Sequence, residues 1–462
     1  MKNELTVQSI FSRPLGWIIG ALALMTATAI SFAPTALRAQ GDPQAALQKM
    51  HQVMAKYQDG RYTLTLRSRA QGRLQPPEVV EVKNNRNGAF YLKWTGERFR
   101  DRELLYQPNW NGGKAWIKEG GALSFSAASV GLNDAVIKQD YRRSVDVLSL
   151  PKLTAEIEAW SADSAASIES NGDGVTITHP KNGRLSVNFL GNGLPRKIVF
   201  TDASGAELEI FEFANVQTNV GLTAADFDPA NRAYSFPGYS SDGIFIDADR
   251  LKDSLNANWS RIKDYTCELA KREKIKGKMQ EKQTIFLKFR KPCDLYLTWI
   301  KNPNKGRELI YRQGVDEKVI VHEGGVILGL ASVRLALDSS LLMAETNHSL
   351  THLDIGYTIK TIYDNLFRGL KSGEVKLKFK GVEFTDGRRL YLVESWFAKN
   401  SAKGYYAPHT LMGHDSQTGL PLKISNYAAD DQLFEEFYWG KVRFNAGLTD
   451  KDFDYKNPQY KF

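Results

Sequence analysis

Residues 91–106 read YLKWTGERFRDRELLY and residues 296–311 read YLTWIKNPNKGRELIY, one pattern written twice at a constant offset of 205 residues. Large side chains fall at every second position, the period of an extended strand. Leu92 and Trp94 therefore share one face, as do Leu295, Leu297 and Trp299, while Tyr91 and Tyr296 point the other way. The match continues outward. GRLQPPEVVEVK before the first block is answered by GKMQEKQTIFLKF, and KAWIKEGG after it by KVIVHEGG. Farther on, GLPRKI pairs with GLPLKI and NVGLTAADFDPANRAYSF with NAGLTDKDFDYKNPQYKF, now at an offset of 226 residues. A repeat of this length is a duplicated domain with its own core, not a solenoid unit.

The 462 residues therefore divide into a first copy over 42–236, a linker over 237–246 (PGYSSDGIFI) and a second copy over 247–462. With 42% apolar and 24% charged residues, both copies can bury cores. Each opens with a predicted amphipathic helix: Asp42 as N-cap, Pro43 in the first turn, then Leu47, Met50, Met54 and Tyr57 on one face. Asp247, Leu251, Leu255, Trp259 and Ile262 repeat it. Strands of period two follow, with Tyr62, Leu64 and Leu66 against Thr63, Thr65 and Arg67, and Ile285, Leu287 and Phe289 against Thr284 and Lys288. Residues 123–166 and 328–370 lose the alternation and are read as helices and loops. Thr223 with Asp226, and Thr449 with Asp452, have capping-box spacing. The fold class is α+β: in each copy a helix, about five strands, a helical insertion and four or five more strands form a strongly curved antiparallel sheet with helices on one face.

Lys2 and Arg13 precede an apolar run at 17–33, then Pro34 and TALRAQ, the layout of a secretory signal over 1–39 with cleavage after Ala39. The expected location is the periplasm, an uncleaved anchor being the alternative. There is no twin-arginine pair and no Cys after the apolar run, so neither a Tat signal nor an N-terminal lipid anchor is indicated, and no later segment is apolar enough to span a bilayer. The formal charge of +9 falls to +7 without Lys2, Arg13, Arg38 and Glu4. Its charges alternate in sign along the chain, which argues for a solvated surface and against nucleic acid; peripheral contact with anionic headgroups stays open. Cys267 and Cys293 are the only cysteines. An oxidising compartment would join them if geometry allowed, but the strand reading sets them about two spacings of ~4.8 Å apart, and two buried thiols are the other outcome.

No GxSxG, Walker loop or Cys/His pairing is present, and His322-Glu323-Gly324 reads as a turn, so no enzyme and no cofactor is expected. His348 and His352 have the spacing of two ligands on one helical face, with Glu345 or Asp354 the near candidates for a third; surface or capping roles are preferred and no metal is expected. The recurring Arg102-Glu103 and Arg307-Glu308 read as charge pairing between neighbouring strands, a shared partner site being the alternative.

The second copy, with YTCELAKREKIKGKMQEKQTIFLKF, KGRELIY, HEGG and NHSLTH, resembles the bacterial family called domain of unknown function 1571. The first is a more divergent relative, keeping RELLY and EGG but carrying YRRS at 141–144 where the second has Asn347 to Ser349. That family looks like the lipoprotein-carrier fold of LolA and LolB, an incomplete antiparallel barrel whose mouth is covered by helices. The resemblance implies a monomeric, non-enzymatic carrier whose groove holds the acyl chains of a lipid or lipoprotein. It equally implies, as an alternative, an envelope module with packed cores that binds a protein partner or senses stress. The candidate ligand-facing residues are Leu92, Trp94, Leu295, Leu297 and Trp299 on the inner face, and Leu341, Leu342 and Met343 in a movable lid, with plain core filling open for each.

Overall fold

Two sheets organise the chain in the computed structural model, which describes residues 42–462 apart from 71, 139–140, 325–330 and 399–403. The signal read over 1–39 lies outside the described residues. Every strand pair is antiparallel, and both sheets follow one plan. The first long strand of each copy, Asp59–Ala70 or Asp264–Ile275, sits mid-sheet between the next strand, Glu78–Asn85 or Gln283–Arg290, and the last, Glu207–Thr218 or Leu433–Phe444. From this seam each sheet runs outward both ways. Its far ends, near Ser126–Val130 and at Ser167–Asn171 in the first copy and at Ser332–Ala336 and Val375–Thr385 in the second, do not pair with each other. The chain crosses between those ends as the helical insertion. Among the described residues the result is two open, curved sheets, of 13 and 12 strands, in tandem.

The stretches read as helices and loops hold helices Leu150–Ala162 and Ile355–Ile362, but each also hides a strand, Ser126–Val130 and Ser332–Ala336. SAASV has small side chains that give no strong alternation, and SVRLA, though Val333 and Leu335 alternate with Ser332 and Arg334, is a short, mostly exposed edge segment. The segment between the copies ends in a further strand, Ile244–Ile246, paired with Ser126–Val130.

Asp42 caps helix Pro43–Ala55 by accepting from the Gln44 amide, and Asp247 caps Ala248–Ser260; they bury Leu47 with Met50, and Leu251 with Leu255. Such a cap is worth about 1 kcal/mol. On the opposite face of each sheet the C-terminal tail docks in the same way. The capping boxes at Thr223/Asp226 and Thr449/Asp452 form, Lys83 binds Asp226 at 2.9 Å and Lys288 binds Asp452 at 2.7 Å. Tyr234 stacks on Tyr91 and Tyr460 on Tyr296, with ring centroids 3.8 and 4.0 Å apart, so both inward-outward assignments of those tyrosines hold. Glu103 faces Lys118 across adjacent strands at 3.3 Å and Arg102 binds Glu119 at 2.9 Å, which is the neighbour-strand pairing expected. Glu119 also accepts from the Tyr391 hydroxyl, tying the copies together beside the Ser254 to Ala122 carbonyl bond of 2.7 Å.

Cys267 and Cys293 are free and buried. Cys267 lies opposite Leu287, which lies opposite Leu297, so a whole strand separates the thiols and no bond spans them. Burial pushes the Cys293 thiol up to about 12. Among the described residues no helix is long and apolar enough to cross a membrane.

Candidate functional site

Strand Asp264–Ile275 turns every second residue inward, so the buried row Cys267, Leu269, Lys271, Glu273 passes from apolar to charged as it nears the open end. Across the seam Lys271 lies opposite Phe437 and Glu273 opposite Glu435. Residues 346–348 of the insertion fold down onto this charged end. The Asn347 amide donates to Glu273 at 2.8 Å, the Thr346 hydroxyl at 2.9 Å, and the His348 ring meets Glu435 at 2.7 Å. Lys271 binds Glu273 at 2.6 Å, and Glu435 also accepts from Tyr406 at 2.9 Å and Asn426 at 2.7 Å.

Burial alone would raise the Glu273 carboxyl, but the Lys271 ammonium overrides it and holds it below the usual range. Burial alone would lower His348, but its bond to Glu435 and the charges of Glu435 and Glu273 hold it above the usual histidine value. The ligand atoms of Glu273, His348 and Glu435 lie within 4.8 Å of one another, a spacing a metal ion could use. Here Lys271 supplies the cation, and the donors are spent on hydrogen bonds within the network.

His348 is the shared wall of two cavities. The first, of about 390 Å³, has Trp299, Leu309, Val321 and Leu335 as its floor and Leu341, Leu342 and Met343 as its roof. The Trp299 indole is fixed by donation to Gln283 at 2.9 Å, and Arg307 closes the rim between Glu323 at 2.8 Å and Glu345 at 2.9 Å. Leu341 is 72% exposed. The second cavity, of about 460 Å³, lies across His348 among Tyr357, Asn365, Arg368, Asn426 and Trp439.

Of the residues expected to face a ligand, the structure thus gathers Trp299, Leu341, Leu342 and Met343 around one space. Leu295 and Leu297 lie fully buried in the core beneath it. In the first copy Leu92 and Trp94 are equally buried. There Trp94 donates to Glu78 at 3.0 Å and to Tyr141 at 3.2 Å. The histidine set resolves differently from its spacing. Glu345 pairs with Arg307, Asp354 caps helix Ile355–Ile362 through the Tyr357 amide, and His352 stacks on Tyr357 at 3.8 Å. Glu273 and Glu435 escaped sequence reading because KREK and FEEF look like solvated charge runs. Continuing the period two from Cys267 and Leu269 would have turned Lys271 and Glu273 inward.

The duplication explains the asymmetry. At the same offsets Arg143 answers to His348, Ser68 to Glu273, Glu209 to Glu435 and Phe200 to Asn426. In the first copy Arg143 pairs with Glu209 at 2.7 Å and lies 4.4 Å over the Phe200 ring. The anchoring of loop to sheet persists, with a large cation and a ring where the second copy has an imidazole and an amide.

No curated protein matches the chain. Among solved structures, a DUF1329 family protein from Desulfovibrio piger is similar over 45% of this chain and 97% of its own, at 16% identity and a TM-score of 0.23. A putative outer membrane lipoprotein-sorting protein domain from Vibrio parahaemolyticus is similar over 45% and 97%, at 11% identity and a TM-score of 0.24. A LolA superfamily protein from Nitrosomonas europaea is similar over the same shares, at 11% identity and a TM-score of 0.21. One family matches at residues 57–187 and again at 262–462, well over half the length and parts of both copies, and the chain accordingly belongs to the family described as protein of unknown function (DUF1571).

Proposed function

We propose that the second copy is a non-enzymatic binding domain that holds an apolar chain, the acyl chain of a lipid or lipidated protein, between its sheet and the helix Ser340–Met343. The observation that carries this reading is the cavity of about 390 Å³ with an indole and aliphatic floor and a roof of Leu341, Leu342 and Met343. Small-molecule sites span roughly 300–1,000 Å³ and are mostly apolar with a few placed polar groups. Each buried methylene contributes about 0.8 kcal/mol, so a chain of about eight contributes roughly 6 kcal/mol before the costs of association. The signal-like start supports work in the periplasm after export, with the first copy as a packed partner. Organic extracts of gently purified protein, read by mass spectrometry, are expected to contain co-purifying lipid in near-stoichiometric amount. Extracts free of lipid, from protein that also ignores added fatty acid, would overturn the reading.

A further inference from the structure

The first sheet has 13 strands and the second 12, and the difference is one strand: Ile244–Ile246, from the segment between the copies, lies along the outer edge of Ser126–Val130. The counterpart edge in the second copy is Ser332–Ala336. Residues 115–118 answer to 319–322, and pairing across those strands makes Ala127, Ala128, Ser129 and Val130 answer to Ser332, Val333, Arg334 and Leu335. Among the described residues Ser332–Ala336 pairs with Asp316–His322 alone, and no strand takes its other side. We propose that this edge is a docking site for an extended segment of a partner protein, with large aliphatic side chains two residues apart, which adds to the second sheet as a further antiparallel strand.

The duplication supplies the chemistry of the occupant. In the first copy the added strand is held by its backbone, with the Ser129 amide donating to the Gly243 carbonyl and the Asp247 amide to the Phe125 carbonyl, both at 2.8 Å. Ile244 and Ile246 turn inward and are 4% and 6% exposed in the core, while Phe245 faces the other way, beside Gly238. Ile244 lies opposite Ala128, which is itself buried. In the second copy that position is Val333, which is 47% exposed and, with Leu335, lines the cavity of about 390 Å³. An unpaired edge binds an extended peptide through main-chain hydrogen bonds, and the pockets under alternate side chains give selectivity. An incoming strand in the register of Ile244–Ile246 therefore sets one aliphatic residue opposite Val333, on the cavity side, and turns the next residue outward opposite Ser332. Because Arg334 answers to Ser129, its N–H points away from Asp316–His322 and toward the incoming strand. The Arg334 side chain is engaged elsewhere, with Asp316 and over the Tyr455 ring at 5.6 Å.

A fluorescein-labelled peptide of sequence SDGIFIDA, residues 241–248 of this chain, is titrated against the full chain, whose first edge is already occupied by its own copy of that segment. The peptide is expected to bind saturably, with half-saturation below about 1 mM. Ile244→Ser with Ile246→Ser in the peptide should weaken it at least about tenfold, whereas Phe245→Ser in the peptide should leave it bound. In the protein, Arg334→Pro deletes the outward N–H, a change that edge strands tolerate, and should lower affinity at least about tenfold. Arg334→Ala loses the side chain but keeps the N–H, and should bind as before. Arg334→Pro is also expected to go on binding fatty acid, so this proposal and the acyl-chain reading fail separately. No binding at about 1 mM peptide, equal binding of the three peptides, or equal affinity of the two Arg334 variants would overturn the proposal. So would a concentration-dependent dimer of the full chain that Arg334→Pro dissolves, since the edge would then belong to a second copy.

Discussion

His348 stands against Glu435 and Glu273 where Arg143 of the first copy stands against Glu209 and Glu156. Arginine stays charged at every physiological pH and histidine does not, so one link is permanent and the other titrates. Lys271, Glu273, Glu435, Tyr406 and His352 all face the imidazole, and their balance, against burial, leaves His348 above its ordinary value. A raised folded value means the pair's stability is fully present below about pH 6.5 and is lost as pH rises through the folded value of His348. His348→Gln is therefore expected to cost about 1–3 kcal/mol in acidic buffer, with the deficit shrinking toward alkaline pH, as read by urea unfolding at stepped pH. His348→Arg should flatten the profile. Asp354, pushed up to about 6 by burial, titrates in the same window but is common to all three proteins and cancels in their differences. A deficit independent of pH would show that the imidazole does not titrate in this window.

Among the elements, the roof is the least self-supporting. Helix Ser340–Met343 is a single turn with no buried residue, capped by Ser339 alone. A helix this short does not persist on its own and relies on what it covers. Hydrogen exchange is expected to show fast exchange of the 341–343 amides in lipid-free protein and marked slowing when fatty acid is added, whereas the Asp264–Ile275 amides stay protected in both. Equal protection with and without lipid would remove the roof from the binding account. The long strands were legible because their apolar faces repeat over many residues, as in Asp59–Ala70 and Gln283–Arg290. The roof's apolar triplet stood out too, and so did Trp299. What stayed illegible depended on partners distant in sequence: Glu435 is buried by a loop 87 residues away, and Ile244–Ile246 is a strand only because Ser126–Val130 offers an edge.

Across the whole molecule, duplication preserved the scaffold while the side chains inside it diverged. Both tails dock through the same lysine, aspartate and tyrosine stack, and both sheets open at the same place. The interiors have parted. Where the first copy sets Arg143 against Glu209 and over the Phe200 ring, the second has two spaces divided by His348. The repeat made the two-domain plan readable at once, but their inequality required seeing which side chains fill each mouth. The most direct measurement is a fluorescence titration of the full chain with a dansylated fatty acid. The account predicts one saturable site per chain, abolished by Leu342→Trp in the second copy and unaffected by Tyr141→Phe in the first. Two equivalent sites, or a site that survives Leu342→Trp, would contradict it.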